Sequence, residues 1–159
     1  MYYEKTLFNF PPSYTEDLSK KLVSDFEESL ESLDIDITPG GHLIAKKSFQ
    51  SFLLKNGWST NVPIGASRRQ IFGQKKDITI FFNSGPPGMT VEQLLKINAM
   101  KKIEFIQASI FVFLFKADKE KISSQTMAYY EKFIYDFNDI YKFSFDLPLV
   151  VYGVGAEEY

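Results

Sequence analysis

Residues 108–115 read Ala-Ser-Ile-Phe-Val-Phe-Leu-Phe, and this stretch decides the fold. It contains no charged residue, no proline and no glycine. An unbroken apolar run of this length predicts a strand that is buried on both faces. Strands covered on both faces are typical of parallel sheets with helices on either side. The stretch therefore predicts an α/β domain.

The pattern of apolar residues predicts further elements on both sides of this strand. Strands are predicted for residues 2–10 (a short edge strand), Asn61–Ile64, Asp77–Asn83 and Leu147–Val154. Helices are predicted from a cap at Ser13 or Thr15 to Leu33, from Leu43 to Asn56 with Gly57 as a left-handed stop, from Val91 to Glu104 behind a Thr90–Gln93 capping box, and from Gln125 to Tyr141. Residues 67–72 indicate no element, and Trp58 is expected in the core. Together these elements predict one domain over residues 1–159, with a mixed central sheet flanked by helices.

Composition excludes several classes of protein and of site. The chain has no cysteine, which excludes disulfides, thiolate zinc sites and a cysteine nucleophile. No stretch reaches the roughly eighteen apolar residues that a membrane helix needs, and the N-terminus lacks the pattern of a signal peptide. We therefore expect a cytoplasmic protein with no membrane association.

The charges are unevenly distributed along the chain, although the formal net charge is only −2. Residues 1–40 hold 3 Lys/Arg against 9 Asp/Glu, residues 41–102 hold 10 against 2, and residues 103–159 hold 5 against 9. We call residues 41–102 the basic segment. A block of this kind predicts an anionic partner such as nucleic acid. The alternative is that its cations pair with the protein's own acidic helices.

The basic segment contains several cations and glutamines that are candidates for binding nucleic acid. The candidates are Lys46, Lys47, Arg68, Arg69, Gln74, Lys75 and Lys76. Lysine and arginine neutralise phosphates, and glutamine can hydrogen-bond phosphates or bases. The alternative is an edge strand that its charges keep from aggregating. The nucleic-acid hypothesis requires the cations of the basic segment, including Lys96, Lys101 and Lys102, to gather on one exposed surface.

Catalytic groups are scarce in the basic segment. A Mg²⁺-dependent nuclease needs carboxylates that converge on the ion, and only Asp77 and Glu92 are available there. Asp77 opens a predicted strand, so it is the candidate catalytic and metal-binding residue. His42 is the only histidine, and we expect it to be an exposed loop residue rather than part of a triad or a zinc site.

The order of the elements between residues 15 and 155 resembles the core of the PD-(D/E)xK nucleases, especially the BglII-like type II restriction endonucleases. The likeness lies in Pro39-Gly40-Gly41, in a helix that ends at Gly57-Trp58, and in the strand Asp77–Asn83 followed by two helix-strand units. The resemblance implies a restriction-endonuclease-like fold, a duplex DNA partner, a homodimer and Mg²⁺ as cofactor if the enzyme is active.

Carried over residue by residue, the resemblance implies a degenerate catalytic motif. The family's central strand has an acid and then a glutamine or lysine two residues later, whereas this strand has Thr79 and Phe81. An upstream aspartate is replaced by Gln70. A shift of register offers Asp77 as one ligand but no partner for it.

Three hypotheses follow from these observations. The first is a nucleic-acid-binding protein of nuclease fold whose cleavage is weak or lost. The second is an intracellular protein-binding module, such as an immunity or inhibitor protein, that binds through charge complementarity. The third is an active Mg²⁺-dependent endonuclease that uses Asp77.

Overall fold

Within the part of the chain that the structure describes, the sheet has six strands, and its three adjacent parallel strands are enclosed by helices. A computed structural model describes residues 1–10, 18–103, 106–122 and 127–156, without the side chains of residues 18–20 and 22. The elements are β1 (Tyr2–Phe8), α1 (Leu18–Leu30), α2 (His42–Lys55), β2 (Ser59–Pro63), β3 (Gln70–Lys75), β4 (Ile78–Asn83), α3 (Pro87–Ile103), β5 (Ala108–Leu114), α4 (Lys116–Ile122), α5 (Tyr130–Asp139) and β6 (Leu149–Gly155). A short 3-10 turn covers Tyr141–Phe143.

The strands lie in the order β1-β6-β5-β4-β3-β2. β4, β5 and β6 are parallel, whereas β1 pairs antiparallel with β6 and β2–β3–β4 form an antiparallel meander. The mixed sheet that the sequence predicts is therefore confirmed. Every residue of β4, β5 and β6 is buried, as expected for strands that helices cover on both faces.

Two apolar cores lie on opposite faces of the sheet. On one face α1 and α2 pack through residues such as Phe26, Phe49 and Leu53, and the buried Trp58 belongs to this core. On the other face α3 and α5 pack through residues such as Ile97 and Phe133. α2 and α3 consequently lie on opposite sides of β4.

Several predicted boundaries are confirmed and others are wrong. α2 ends as predicted, with Gly57 at a φ of +76°, and β1 is an edge strand. α4 appears where no element was predicted, and β3 lies where a strand was only the alternative interpretation; because it pairs with both β2 and β4, it is not an edge strand. The helix predicted to begin at Val91 begins at Pro87, which suits the first helical position because its missing N–H would have no partner there. Thr90 therefore lies inside α3, and the predicted capping box is wrong.

Other predictions concern the helix ends. Three predicted helix ends lie outside the described residues: the cap at Ser13 or Thr15, the end at Glu104 and the start at Gln125. The last described helix begins at Tyr130. No helix in the described part of the chain is long and apolar enough to span a lipid bilayer.

Candidate functional site

A cleft lies at the carboxyl end of β4, between the first turns of α2 and α3. β4 ends at Asn83, and the chain passes through Ser84–Pro86 into α3. The cleft has a volume of about 230 Å³. Its polar lining comes from His42, Lys46, Asn83, Ser84 and Gln93, and its apolar lining includes Phe72, Phe82, Met89 and Met127. We call it the β4 cleft. The carboxyl ends of strands in α/β sheets are a common place for ligand sites.

Two amide side chains of the β4 cleft have buried atoms without a hydrogen-bond partner among the described residues. Asn83 is only 3% exposed, and its Oδ1 accepts a bond of 3.4 Å from Thr90 Oγ1 while its Nδ2 has no partner. Gln93 Oε1 likewise has no partner. Buried polar atoms are almost always paired, so two unpaired ones in one cleft are unusual.

The two basic side chains of the cleft come from one face of α2. His42 is the first residue of the helix and Lys46 lies one turn later. Lys46 Nζ lies 5.9 Å from the centre of the Phe72 ring, within the range of a cation–π contact. His42 is half-buried rather than an exposed loop residue, so the expectation from sequence is wrong there. The reason is that α2 begins one residue earlier than predicted.

The predicted site residues Gln74–Asp77 lie at the opposite end of β4 from the cleft. Lys75, Lys76 and Asp77 surround the turn between β3 and β4, whereas the β4 cleft opens where β4 ends. A strand of this length separates the two ends by roughly 15–20 Å. Lys75 Nζ donates to the Asn56 backbone oxygen at 2.9 Å, and Gln74 Nε2 donates to the Lys76 oxygen at 2.9 Å. The structure therefore does not bring Asp77 to the cleft.

The positions that the resemblance assigns to lost ligands do not open into the cleft either. Thr79 is buried and its hydroxyl lies 2.6 Å from Ser109 Oγ. Phe81 is buried in the core beneath α3 and α5, with its ring 5.3 Å from that of Phe111. Gln70 is exposed at the start of β3, at the same end of the sheet as the cleft.

The residues of the β4 cleft do not fit Mg²⁺. The ion prefers carboxylate oxygens, and the cleft offers amides, a hydroxyl, an imidazole and an ammonium group. Among residues 1–10, 18–103, 106–122 and 127–156, no three acidic or histidine side chains cluster in a way that could hold a metal ion. Glu92, the other acid of the basic segment, forms ion pairs with Arg69 at 2.9 Å and Lys96 at 3.4 Å.

The cations of the basic segment do not share one surface. Lys46 and Lys47 belong to α2, whereas Lys96, Lys101 and Lys102 belong to α3 on the opposite face of the sheet. Lys101 also forms an ion pair with Asp146 at 2.9 Å. The requirement that all these cations gather on one surface is therefore not met, and a DNA-binding proposal can rest only on the fold and on the α2 lysines at the β4 cleft. Lys46 alone among the predicted nucleic-acid-binding residues lines the β4 cleft.

Sequence reasoning missed Asn83, Ser84 and Gln93. The signal that could have found the first two is their position, because Asn83 is the last residue of a buried strand and Ser84 follows it, just before a helix start. Gln93 was read instead as part of a capping box.

Comparison with known proteins identifies the fold. No protein-family model matches the chain, and no curated protein matches it. The structure is similar to restriction endonuclease BglII complexed with a DNA 16-mer, with a TM-score of 0.76 and 15% identity over 99% of this chain and 79% of that one. It is similar to free BglII with a TM-score of 0.70 and 17% identity over 99% of this chain and 81% of that one. The chain therefore has the BglII-like restriction-endonuclease fold, as the resemblance predicts.

Proposed function

We propose that this protein binds duplex DNA at the end of the sheet that carries the β4 cleft, and that it has lost Mg²⁺-dependent cleavage. The observation that carries the proposal is the chemistry of the cleft, whose described lining includes a lysine, a histidine and two amides but no carboxylate. The fold supports a DNA partner, because the similar BglII structure contains DNA.

Binding is attributed to phosphate contacts from the first half of α2. Lys46 borders the cleft, and the neighbouring Lys47 is exposed with no ion-pair partner among the described residues. Lysine ammonium groups neutralise phosphates, and the counterions they displace make binding dependent on salt. Arg68 is also exposed, in the loop between β2 and β3, and could add a further contact.

The proposed loss of cleavage is supported by the lining of the cleft, whose described residues include no carboxylate. An attacking water must be activated and the leaving oxygen stabilised, and in metal nucleases the carboxylate-bound ions do both. Lys46 would repel a divalent cation from this site. Asp77 remains the predicted ligand of the rival hypothesis of an active endonuclease, but it lies at the far end of β4.

Fluorescence anisotropy with a labelled duplex, at salt concentrations from 50 to 200 mM, tests the binding proposal. We expect the affinity to fall steeply with salt, by a slope of about 0.9 per phosphate contacted. The double variant Lys46→Gln, Lys47→Gln should bind more weakly, and its slope should be smaller by about two units. Lys142→Gln is the control for losing a cation outside the basic segment, because Lys142 is exposed in the acidic last third of the chain. Equal loss in the control and in the double variant would contradict the proposal.

Incubation of plasmid DNA with Mg²⁺ or Mn²⁺ tests the loss of cleavage. We expect no cleavage above that of the metal alone. Cleavage by the wild type that disappears in Asp77→Ala would establish the active endonuclease instead.

Failure to bind nucleic acid would favour the protein-binding module. The observation that favours this candidate is the acidic surface of α1, where Asp25 and Glu28 are exposed. The homodimer that the resemblance implies, a cytoplasmic location and a single domain over residues 1–159 are further proposals. Light scattering tests the first of these.

A further inference from the structure

The unpaired amide atoms of the β4 cleft form a complementary pair. Asn83 Nδ2 is a hydrogen-bond donor and Gln93 Oε1 is an acceptor, and neither has a partner among the described residues. Asn83 is the last residue of β4 and Gln93 lies in the first half of α3, and both side chains line the same cavity. A ligand that satisfies both must present an acceptor to Asn83 and a donor to Gln93.

The remaining lining of the cleft selects for a flat, largely apolar ligand. The rings of Phe72 and Phe82 and the side chains of Met89 and Met127 supply the apolar walls. A volume of about 230 Å³ is below the range of roughly 300–1,000 Å³ that drug-sized ligands occupy. The cavity therefore suits one ring system rather than a long or branched molecule.

A cation stands beside this apolar cavity. Lys46 lines it, and its Nζ lies 5.9 Å from the centre of the Phe72 ring. Because Lys46 is only half-buried, its ammonium group remains in reach of solvent. A ligand whose ring enters the cavity can therefore place an attached phosphate near Lys46. A nucleotide has this combination of a ring edge with adjacent donor and acceptor groups and a phosphate.

We propose that the β4 cleft binds a nucleobase, with Asn83 and Gln93 bonded to its polar edge and Lys46 near its phosphate. The base belongs either to a free nucleotide or to a nucleotide turned out of a DNA strand, and the latter source rests on the proposed DNA binding. Proteins that take a base out of the stack read it by hydrogen bonds to its edge and by contacts with aromatic and apolar side chains.

Access to the two amides requires the lining of the cleft to rearrange. Asn83 Nδ2 and Gln93 Oε1 are closed to solvent in this structure. Met89 is half exposed and packs over Gly85, where an added Cβ would lie 2.6 Å from the Met89 sulfur. The methionine side chain is unbranched and adapts readily, so Met89 is the lining residue best suited to make room for a ligand.

Calorimetric titration with the nucleoside 5′-monophosphates tests the proposal on the free ligand. We expect binding by the wild type, and about tenfold weaker binding by Gln93→Leu, which removes one buried hydrogen bond. Gln107→Leu is the matched control. Gln107 also has a buried, unpaired Oε1, but its backbone N–H bonds to Asp77 O, at the opposite end of β4. Asn83→Leu should act like Gln93→Leu, and its circular dichroism melt establishes that it is folded.

A second arm uses a duplex with one unpaired nucleotide, compared with the same duplex that has an abasic sugar at that position. If the cleft takes the base from DNA, the unpaired base should strengthen binding to the wild type but not to Gln93→Leu. Binding of free monophosphates alone would assign the cleft to a free nucleotide. The proposal is overturned if no nucleotide binds in either arm, or if Gln93→Leu and Gln107→Leu behave alike. A fully paired duplex in the same assay measures DNA binding itself, so that failure of the proposed function is seen separately.

Discussion

Tyr152 is a residue whose ionisation should control alkaline stability. It is fully buried on β6, with its ring 5.4 Å from Phe26, and its hydroxyl, although near the Glu27 carboxylate, makes no hydrogen bond of good geometry to a described group. Burial, reinforced by the nearby Glu27 carboxylate, raises the pKa of Tyr152 well above its ordinary value of 10.0. Burial raises the pKa of Tyr130 as well.

Because burial raises the pKa of Tyr152 in the folded protein, alkaline pH should destabilise the fold. Above pH 10 the unfolded tyrosine loses its proton while the folded one keeps it, so the free energy of unfolding falls as pH rises, by about 1.4 kcal/mol per pH unit for each such group. We expect Tyr152→Phe to unfold like the wild type at pH 7.5 and to lose less stability between pH 10 and 11. Urea denaturation at these pH values measures the free energy of unfolding of both proteins. Parallel losses in the two proteins would contradict the prediction.

The site shows how far single residues can be predicted from this sequence. Lys46 was found because a cation in a basic helix is visible as charge. Asp77 was placed in the site because it opens a strand, but the sequence alone did not show which end of that strand borders a cleft. Asn83 and Gln93 were not predicted, because an amide marks a ligand site only when it is buried without a hydrogen-bond partner. Burial and missing partners are seen only in the folded chain.

At the scale of elements, the sequence predicts those with a strong apolar pattern. β5 and β6 carry no charged residue and are almost entirely apolar, and α2 has both an apolar face and a glycine stop, so each was predicted within a few residues. β3 was missed because its residues, Gln70–Lys75, are mostly polar or small and gain their strand from pairing with β2 and β4. Such strands depend on tertiary context more than on propensity.

The contact between β6 and α5 depends on one glycine. A Cβ added at Gly153 would lie 2.6 Å from both Phe115 Cε1 and Tyr130 Cγ. Strand propensity favours alanine over glycine, but overpacking against two rings costs about 1–3 kcal/mol. We therefore expect Gly153→Ala to lower the melting temperature by several degrees, at about 2–4 °C per kcal/mol.

Gly88→Ala is the control for this substitution. Gly88 lies in the first turn of α3 and an added Cβ would meet nothing within 4 Å. Alanine there should be neutral or stabilising by up to about 1 kcal/mol. If differential scanning calorimetry shows Gly153→Ala to be as stable as Gly88→Ala, the close packing of α5 on β6 is contradicted.

At the scale of the whole molecule, the sheet separates the basic segment into distinct regions. The sequence predicted the amount of positive charge but not its division, because residues that are adjacent along the chain fall on opposite faces of the sheet or at opposite ends of β4. α2 itself spans the distance, with His42 and Lys46 at the β4 cleft and Lys55 at its other end. The two ends of one helix can therefore be compared as alternative DNA-binding surfaces.

The double variant Lys55→Gln, Lys76→Gln makes this comparison. Both lysines are exposed and neither has an ion-pair partner among the described residues, and Lys76 lies in the β3–β4 turn, away from the cleft. The variant removes the same charge as Lys46→Gln, Lys47→Gln, so general electrostatic attraction weakens equally in both. Only the pair near the cleft should also lose direct phosphate contacts and reduce the salt slope by about two units. If instead the Lys55 and Lys76 pair shows the larger loss of duplex affinity in the anisotropy titration, DNA binds at the turn end of the sheet, and Asp77 regains its place as the candidate catalytic acid.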